Sequence, residues 1–265
     1  MLKLTKLSLA SVEDLFRYKK SGFKLDPFPG YTEDQWGIKA HNRPWIEDAG
    51  KFSANQRIIE VGGAYSLLPQ HLQSKYSLES WIGDDFGAED GGDMWSRWGN
   101  PHELPKQYPD IKYVFQPFGC FSDSYPNNYF DRIFSVSTLE HIPIDKRLNV
   151  IKDMNRCLND GGMQLHSIDI SIPSIKRCLI NTFSDKVRVF SKLSEKLSSE
   201  ICQWVRLFEE SGIQLQCSIP SALSLLDRAV LVESPDVVYR FYPPNDSPKS
   251  YEPAASLLVI IENTK

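Results

Sequence analysis

From residue 57 onward, short β-branched runs alternate with longer segments whose apolar residues recur at helical spacing. Residues 57–61, "RIIEV", predict a buried strand. Gly62 and Gly63 turn the chain. Ser66 is placed to cap a helix from Leu67, and Pro69 falls in its first turn, where proline is tolerated. "LESWIGDDFG" predicts a second strand ending in Asp84 and Asp85. "IKYVFQPFG" predicts a third strand and residues 132–137 a fourth. In "DKRLNVIKDMNRCLNDGG", Leu148, Ile151, Asn155 and Leu158 share one mostly apolar stripe, and Gly161 and Gly162 predict its stop. "MQLHSIDI" follows as a fifth strand. "SEICQWVRLFEESGIQLQC" reads as helix, turn and sixth strand, and "AASLLVIIEN" as the last strand.

Strands alternating with helices predict an α/β fold with a mostly parallel sheet covered on both faces. The first 56 residues predict a helical lid with a turn at "DPFPG", its opening "MLKLTKLSLASVEDLF" reading as an amphipathic helix rather than a signal peptide. The whole chain, 1–265, reads as one domain: the lid, a core over 57–170, and a remainder over 171–265. Insertions at 86–110, 172–198 and 218–253 are expected to cap one end of the sheet. Ligands of such sheets bind at the carboxyl ends of the strands. Polar or flexible residues fall there in succession: Glu60 and Gly62, Asp84 and Asp85, Gly119, Ser137 to His141, and His166 to Asp169.

Composition narrows the ligand. The net charge of −4, with no basic block, argues against nucleic acid. No apolar run is long enough to span a bilayer. The five scattered cysteines lack CxxC spacing, which favours reduced thiols and a cytoplasmic setting. No metal-ligand spacing such as HExxH occurs. A GxGxxG fingerprint fails in both frames: from Gly62 the later positions hold Ala64 and Leu67, and from Gly63 they hold Tyr65 and Leu68. A GK[ST] phosphate loop is absent as well. An acid followed by two glycines suits a ligand without phosphates. The glycines admit backbone to an amino-acid end, one acid faces a cation, and an acid on the next strand accepts a ribose diol.

"EVGGAYS", "WIGDDFG", "YFDRIFSVSTLEHIP" and "MNRCLNDGGMQLHSIDI" resemble, in order and spacing, the motifs of class I S-adenosylmethionine-dependent methyltransferases. The resemblance is to the small-molecule branch with an "LEH" signature and covers roughly residues 58–170. It implies a Rossmann-like, mostly parallel seven-stranded sheet. It also implies transfer of a methyl group from S-adenosylmethionine to a small-molecule acceptor, leaving S-adenosylhomocysteine. Glu60, Gly62, Gly63, Ala64, Tyr65 and Ser66 would form the loop at the methionine end. Asp85 matches the ribose-binding acid, with Asp84 as fallback. Ser137, Glu140 and His141 would flank the cofactor. The family's usual adenine-reading acid is missing from "QPFGCFSDS", which leaves backbone groups near Gly119, Asp123, or stacking on Phe118.

A hydroxyl acceptor, the favoured case, would need a base. His141, His166 and Asp169 are the candidates in that order, although a lone histidine is more often a satisfied structural residue. Asp131 reads as structural. Trp36, His41, Arg43, Trp45, Trp95, Arg97 and Trp98 lie where acceptor specificity would be shaped. A monomer or homodimer without membrane or nucleic-acid partners fits these features. The alternative is a non-catalytic binding or assembly protein on a methyltransferase-like fold. A nicotinamide-dependent oxidoreductase is the third reading, disfavoured by the failed fingerprint.

Overall fold

A computed structural model describes residues 1–25, 38–86, 99–172, 186–221, 224, 227–233 and 253–264. Trp36, Trp95, Arg97, Trp98 and the "DPFPG" turn lie outside them. The strands are β1 (Leu2–Leu9), β2 (Arg57–Val61), β3 (Glu79–Gly83), β4 (Lys112–Val114), β5 (Phe130–Val136), β6 (Leu158–Ser171), β7 (Gln214–Leu215), β8 (Val232–Glu233) and β9 (Ala254–Asn263). The helices are α1 (Val12–Ser21), α2 (Ile38–Gly50), α3 (Leu68–Tyr76), the short α4 (Leu104–Gln107), α5 (Ile144–Cys157) and α6 (Lys186–Glu210). Among them no helix is long and apolar enough to cross a membrane.

All these strands join one sheet, ordered β4-β3-β2-β5-β6-β9-β1-β7, with β8 also on β9. Strands β2 to β6 are mutually parallel, and β9 runs against both β6 and β1. The architecture is α/β and Rossmann-like. Chain order reverses between β2 and β5, so their carboxyl ends flank a topological switch point, where open α/β sheets leave a crevice.

Strand alternation assigns the faces. Ile58 packs with Trp45, Ile46, Leu68 and Leu72 on the α1–α3 side. Ile59 and Val61 pack with Met154, Trp204 and Phe208 on the α5–α6 side. Glu60 therefore shares Ile58's face and looks toward α2.

The N-terminus corrects the helical expectation. Residues 2–9 form β1, and α1 begins only at Val12, capped by the Ser11 hydroxyl accepting from the Asp14 N–H at 3.0 Å. Leu4 and Leu7 are both buried in the same core although three residues apart. A register shift between Leu4 and Lys6 explains it: the bulge adds a residue and turns period two into a spacing that mimics a helix. The prediction for α5 also ran too long. The helix stops at Cys157, and Gly161 and Gly162 lie within β6, beside its register shift against β5.

Candidate functional site

The site is built from the strand ends at the switch point. Gly62 leaves β2 at φ +69°, and a Cβ there would lie 2.0 Å from Thr138 Cγ2 across the crevice, so only glycine fits. Gly63 packs tightly over Glu60 and Ile82, where a Cβ would stand 3.1 Å from each. Ala64 also takes a positive φ, 42°. It is held there by its N–H donating to Asp84 Oδ2 at 2.8 Å. The Ser66 N–H donates to the Gly63 carbonyl at 2.7 Å, and its hydroxyl accepts from the Leu68 N–H at 3.2 Å. Tyr65 pins the loop from outside by donating to the Gly99 carbonyl at 2.8 Å.

The two acids ending β3 differ. Asp84 is buried and spends both oxygens on backbone, Oδ2 on Ala64 and Oδ1 on the Phe86 N–H at 2.6 Å. Burial raises its carboxyl to about 6 despite those two bonds. It is a loop brace. Asp85 is half-buried beside it. Glu60 is 3% exposed, and its Oε2 has no hydrogen-bond partner among the described residues. Burial pushes it up to about 7, with Ser66 and Arg43 acting the other way.

Beyond β4 the structure corrects one expectation. The Phe118 ring is 5% exposed and stacked on Tyr125, centroids 4.1 Å apart, so its face is taken and cannot receive an adenine. Gly119, at φ +97°, donates its N–H to Asp153 Oδ2 at 2.9 Å, and Phe121 adds a second N–H at 3.1 Å. Arg156 closes this clamp on Asp153 Oδ1 at 2.6 Å. Asp123 is exposed.

After β5, Ser137 adopts φ +50° and its hydroxyl donates to Asp169 Oδ1 at 3.1 Å. The Lys39 ammonium, from the first turn of α2, stands 3.9 Å from Asp169 Oδ2. Both Glu140 oxygens are buried without a partner among the described residues. Burial, then Asp169, raises that carboxyl to about 8. His141 is 78% exposed, with Nε2 3.9 Å from Glu140 Oε1.

His166 is a second correction. It sits inside the sheet, 0% exposed, with Nδ1 2.9 Å from the Ser135 hydroxyl and Nε2 3.1 Å from Gln164 Oε1. Gln164 in turn donates to Asn155 on α5 at 2.8 Å. Burial lowers the imidazole to about 3, so it stays neutral, and no acceptor can reach it. Asn155, the polar member of the α5 stripe, is explained by the same buried ladder.

Glu60, Gly62 to Ser66, Asp84, Asp85, Ser137, Glu140, His141 and Asp169 thus gather around one crevice, and Phe118 and His166 do not enter it. Sequence reading missed Lys39, Asp153 and Arg147. The pairing of Asp153 with Arg156, three apart on α5, was their one visible signal. A cavity of about 250 Å³ among Tyr18, Trp45, Asp48 and Met163 lies on the α1–α2 face near the start of β6, away from the crevice.

No protein-family model matches the chain, and no curated protein does. Solved structures of similar shape include phosphoethanolamine N-methyltransferase 2 of Haemonchus contortus in complex with S-adenosyl-L-methionine. It is 10% identical over 95% of this chain and 57% of that one, with a TM-score of 0.46. The YcgJ protein of Bacillus subtilis is 12% identical over 85% and 99%, with a TM-score of 0.43. Geranyl diphosphate C-methyltransferase of Streptomyces coelicolor A3(2), in complex with Mg2+, geranyl diphosphate and S-adenosyl-L-homocysteine, is 8% identical over 84% and 76%, with a TM-score of 0.42. Likeness at this level says nothing about which residues act, or on what.

Proposed function

We propose that this protein transfers a methyl group from S-adenosylmethionine to a small-molecule acceptor. The observation that carries the reading is the charge of the crevice. Glu60, Asp84, Asp85, Glu140 and Asp169 ring a glycine loop, with Lys39 and Arg43 on the α2 side. Glu60 and Glu140, raised to about 7 and about 8, are partly protonated at neutral pH until a cation joins them, so this acidic lining disfavours a pyrophosphate and suits a ligand carrying an ammonium, a sulfonium and a ribose diol. The residues fit that ligand at one point: the partnerless Oε2 of Glu60 lies beneath Gly63, where a donor on the ligand would satisfy it.

When bound, S-adenosylmethionine supplies a methyl group activated by its sulfonium. Residues 62–66 would hold the amino-acid end, and Asp85 would accept from the ribose hydroxyls. Ser137 and Glu140 border the transfer position. For a hydroxyl acceptor, the favoured case, His141 would take the acceptor's proton, the methyl–sulfur bond being the one given up and S-adenosylhomocysteine the leaving group, with Asp169 nearby as the second base. The chain's main contribution is alignment of the reacting atoms in a site shielded from water. The acidic balance favours a small metabolite over nucleic acid.

Thermal unfolding with S-adenosylmethionine, S-adenosylhomocysteine or NAD tests this. A ligand at about 100 times its Kd adds about 2.7 kcal/mol, roughly 5–10 °C here. A shift with the first two alone is expected. No shift with any of the three would favour the non-catalytic binding reading.

A further inference from the structure

The turn after β5 carries Glu140 and His141, yet neither side chain anchors it. Leu139, 1% exposed, sinks into the core, and the backbone beyond it is gripped by one arginine. Arg147, one turn into α5, donates through Nη2 to the Glu140 carbonyl at 2.6 Å and through Nε to the Ile142 carbonyl at 2.8 Å. The guanidinium lies over the Trp204 ring of α6, 4.7 Å from its centroid, and Trp204 is 3% exposed. The Glu140 carbonyl belongs to the peptide unit that enters His141 and the Ile142 carbonyl to the unit that leaves Ile142, so the fork brackets the backbone of residues 141 and 142. The turn is also held by the His141 N–H on the Thr138 carbonyl at 3.0 Å, by Thr138 on the Gly62 carbonyl across the crevice at 3.4 Å, and at its start by Ser137 on the Ser167 carbonyl and Asp169 of β6. Ser137, at positive φ, gives the segment a strained start that needs an external brace.

We infer that Arg147 is the positioning residue for His141 and Glu140, and that Trp204 holds Arg147 in place. The inference rests on the methyl-transfer reading for its purpose, though not for its geometry. An arginine suits the place because its planar fork aims two N–H groups at the two carbonyls in fixed directions, whereas the three donors of a lysine ammonium sit on one nitrogen at the end of a flexible stem. Displacing a reacting group by about 1 Å can cost on the order of 100-fold in rate. The Gly62 loop, on the opposite wall, meets the turn at Thr138, while the bonds of Arg147 go to Glu140 and Ile142.

The test uses the full chain and no acceptor. Histidine Cε1–H resonances are followed by NMR against pH, with His141 assigned from His141→Gln, and S-adenosylhomocysteine affinity is measured by calorimetry. In Arg147→Lys the His141 midpoint should move by about half a pH unit or more. The resonances of the other four histidines should be unchanged, and the affinity should change less than about threefold. An unmoved His141 resonance in folded Arg147→Lys overturns the inference. Should that variant not fold, Trp204→Leu, which frees the guanidinium, must move the same resonance, and an unmoved one is equally decisive. Wild-type protein that binds no S-adenosylhomocysteine would sink the methyl-transfer reading instead, and the His141 titration would still decide the role of Arg147.

Discussion

Two glutamates in different parts of the molecule are both pushed up by desolvation and meet opposite fates. Glu47, between α2 and α3, collects His71 Nε2 at 2.7 Å, the Tyr76 hydroxyl at 2.8 Å and the Lys75 ammonium. Burial pushes its carboxyl up, but those three donors overcome it and bring it to about 2. Glu140, in the crevice, has no donor among the described residues, and burial with Asp169 nearby takes it to about 8. Burial alone therefore does not mark a functional site. A buried polar group with every partner supplied is architecture, and one left without partners is where a ligand or a reaction is to be sought.

The contrast can be broken at its strongest point first. Glu47→Gln should cost about 2–3 kcal/mol at pH 7, roughly 5–10 °C in Tm, because three donors lose their charge partner. The sign with pH follows from the direction of the shift. A carboxyl lowered on folding stabilises above its ordinary 4.5, and that stability is lost as pH falls toward about 2. Calorimetry at pH 3 should thus show a smaller cost than at pH 7. Equal costs would mean that the charge of Glu47 is not what matters.

The acids of β3 sharpen the comparison next. Asp85→Ala should weaken S-adenosylhomocysteine binding about 10–100-fold with Tm nearly unchanged. Asp84→Ala should lower Tm through the freed Ala64 and Phe86 N–H groups. Unaltered affinity in Asp85→Ala would remove it from the ribose role.

Glu140→Gln should act on the other limb of the pH profile. Its raised carboxyl contributes stability that is full below about 4.5 and is lost as pH climbs through about 8. Glutamine mimics the protonated form, so the variant should match wild type near pH 4.5 and gain about 1 kcal/mol near pH 8. A loss at pH 8, seen by denaturant titration, would show that the carboxylate has a partner. The smallest effect belongs to Arg17, whose pairs with Asp14 and Asp48 are solvent-exposed. Arg17→Met should change stability by less than about 0.5 kcal/mol, and a larger change would overturn the reading of that network as surface decoration.

Much of the core was legible because its signals are local. The β-branched run at 57–61, the double glycine after it and the periodic stripe of α5 each depend on residues close in sequence. Where legibility failed, a distant partner had decided. A bulge in β1 disguised a strand as a helix. Tyr125 took the face of Phe118, and Ser135 with Gln164 took both nitrogens of His166. Lys39 and Arg147 were missed since each meets the crevice only after helices and strands have packed.

The sequence by itself determined the kind of sheet and the place where its strands end in acids and glycines. These follow from periodicity and from the backbone freedom of glycine, which neighbours in the chain express on their own. Only the tertiary structure decided which acid braces a loop and which buried glutamate is left without a donor. It alone decided which histidine faces outward and which arginine holds it. Those distinctions depend on what lies across the sheet or on the next helix, and desolvation and hydrogen bonding are set by such neighbours in space.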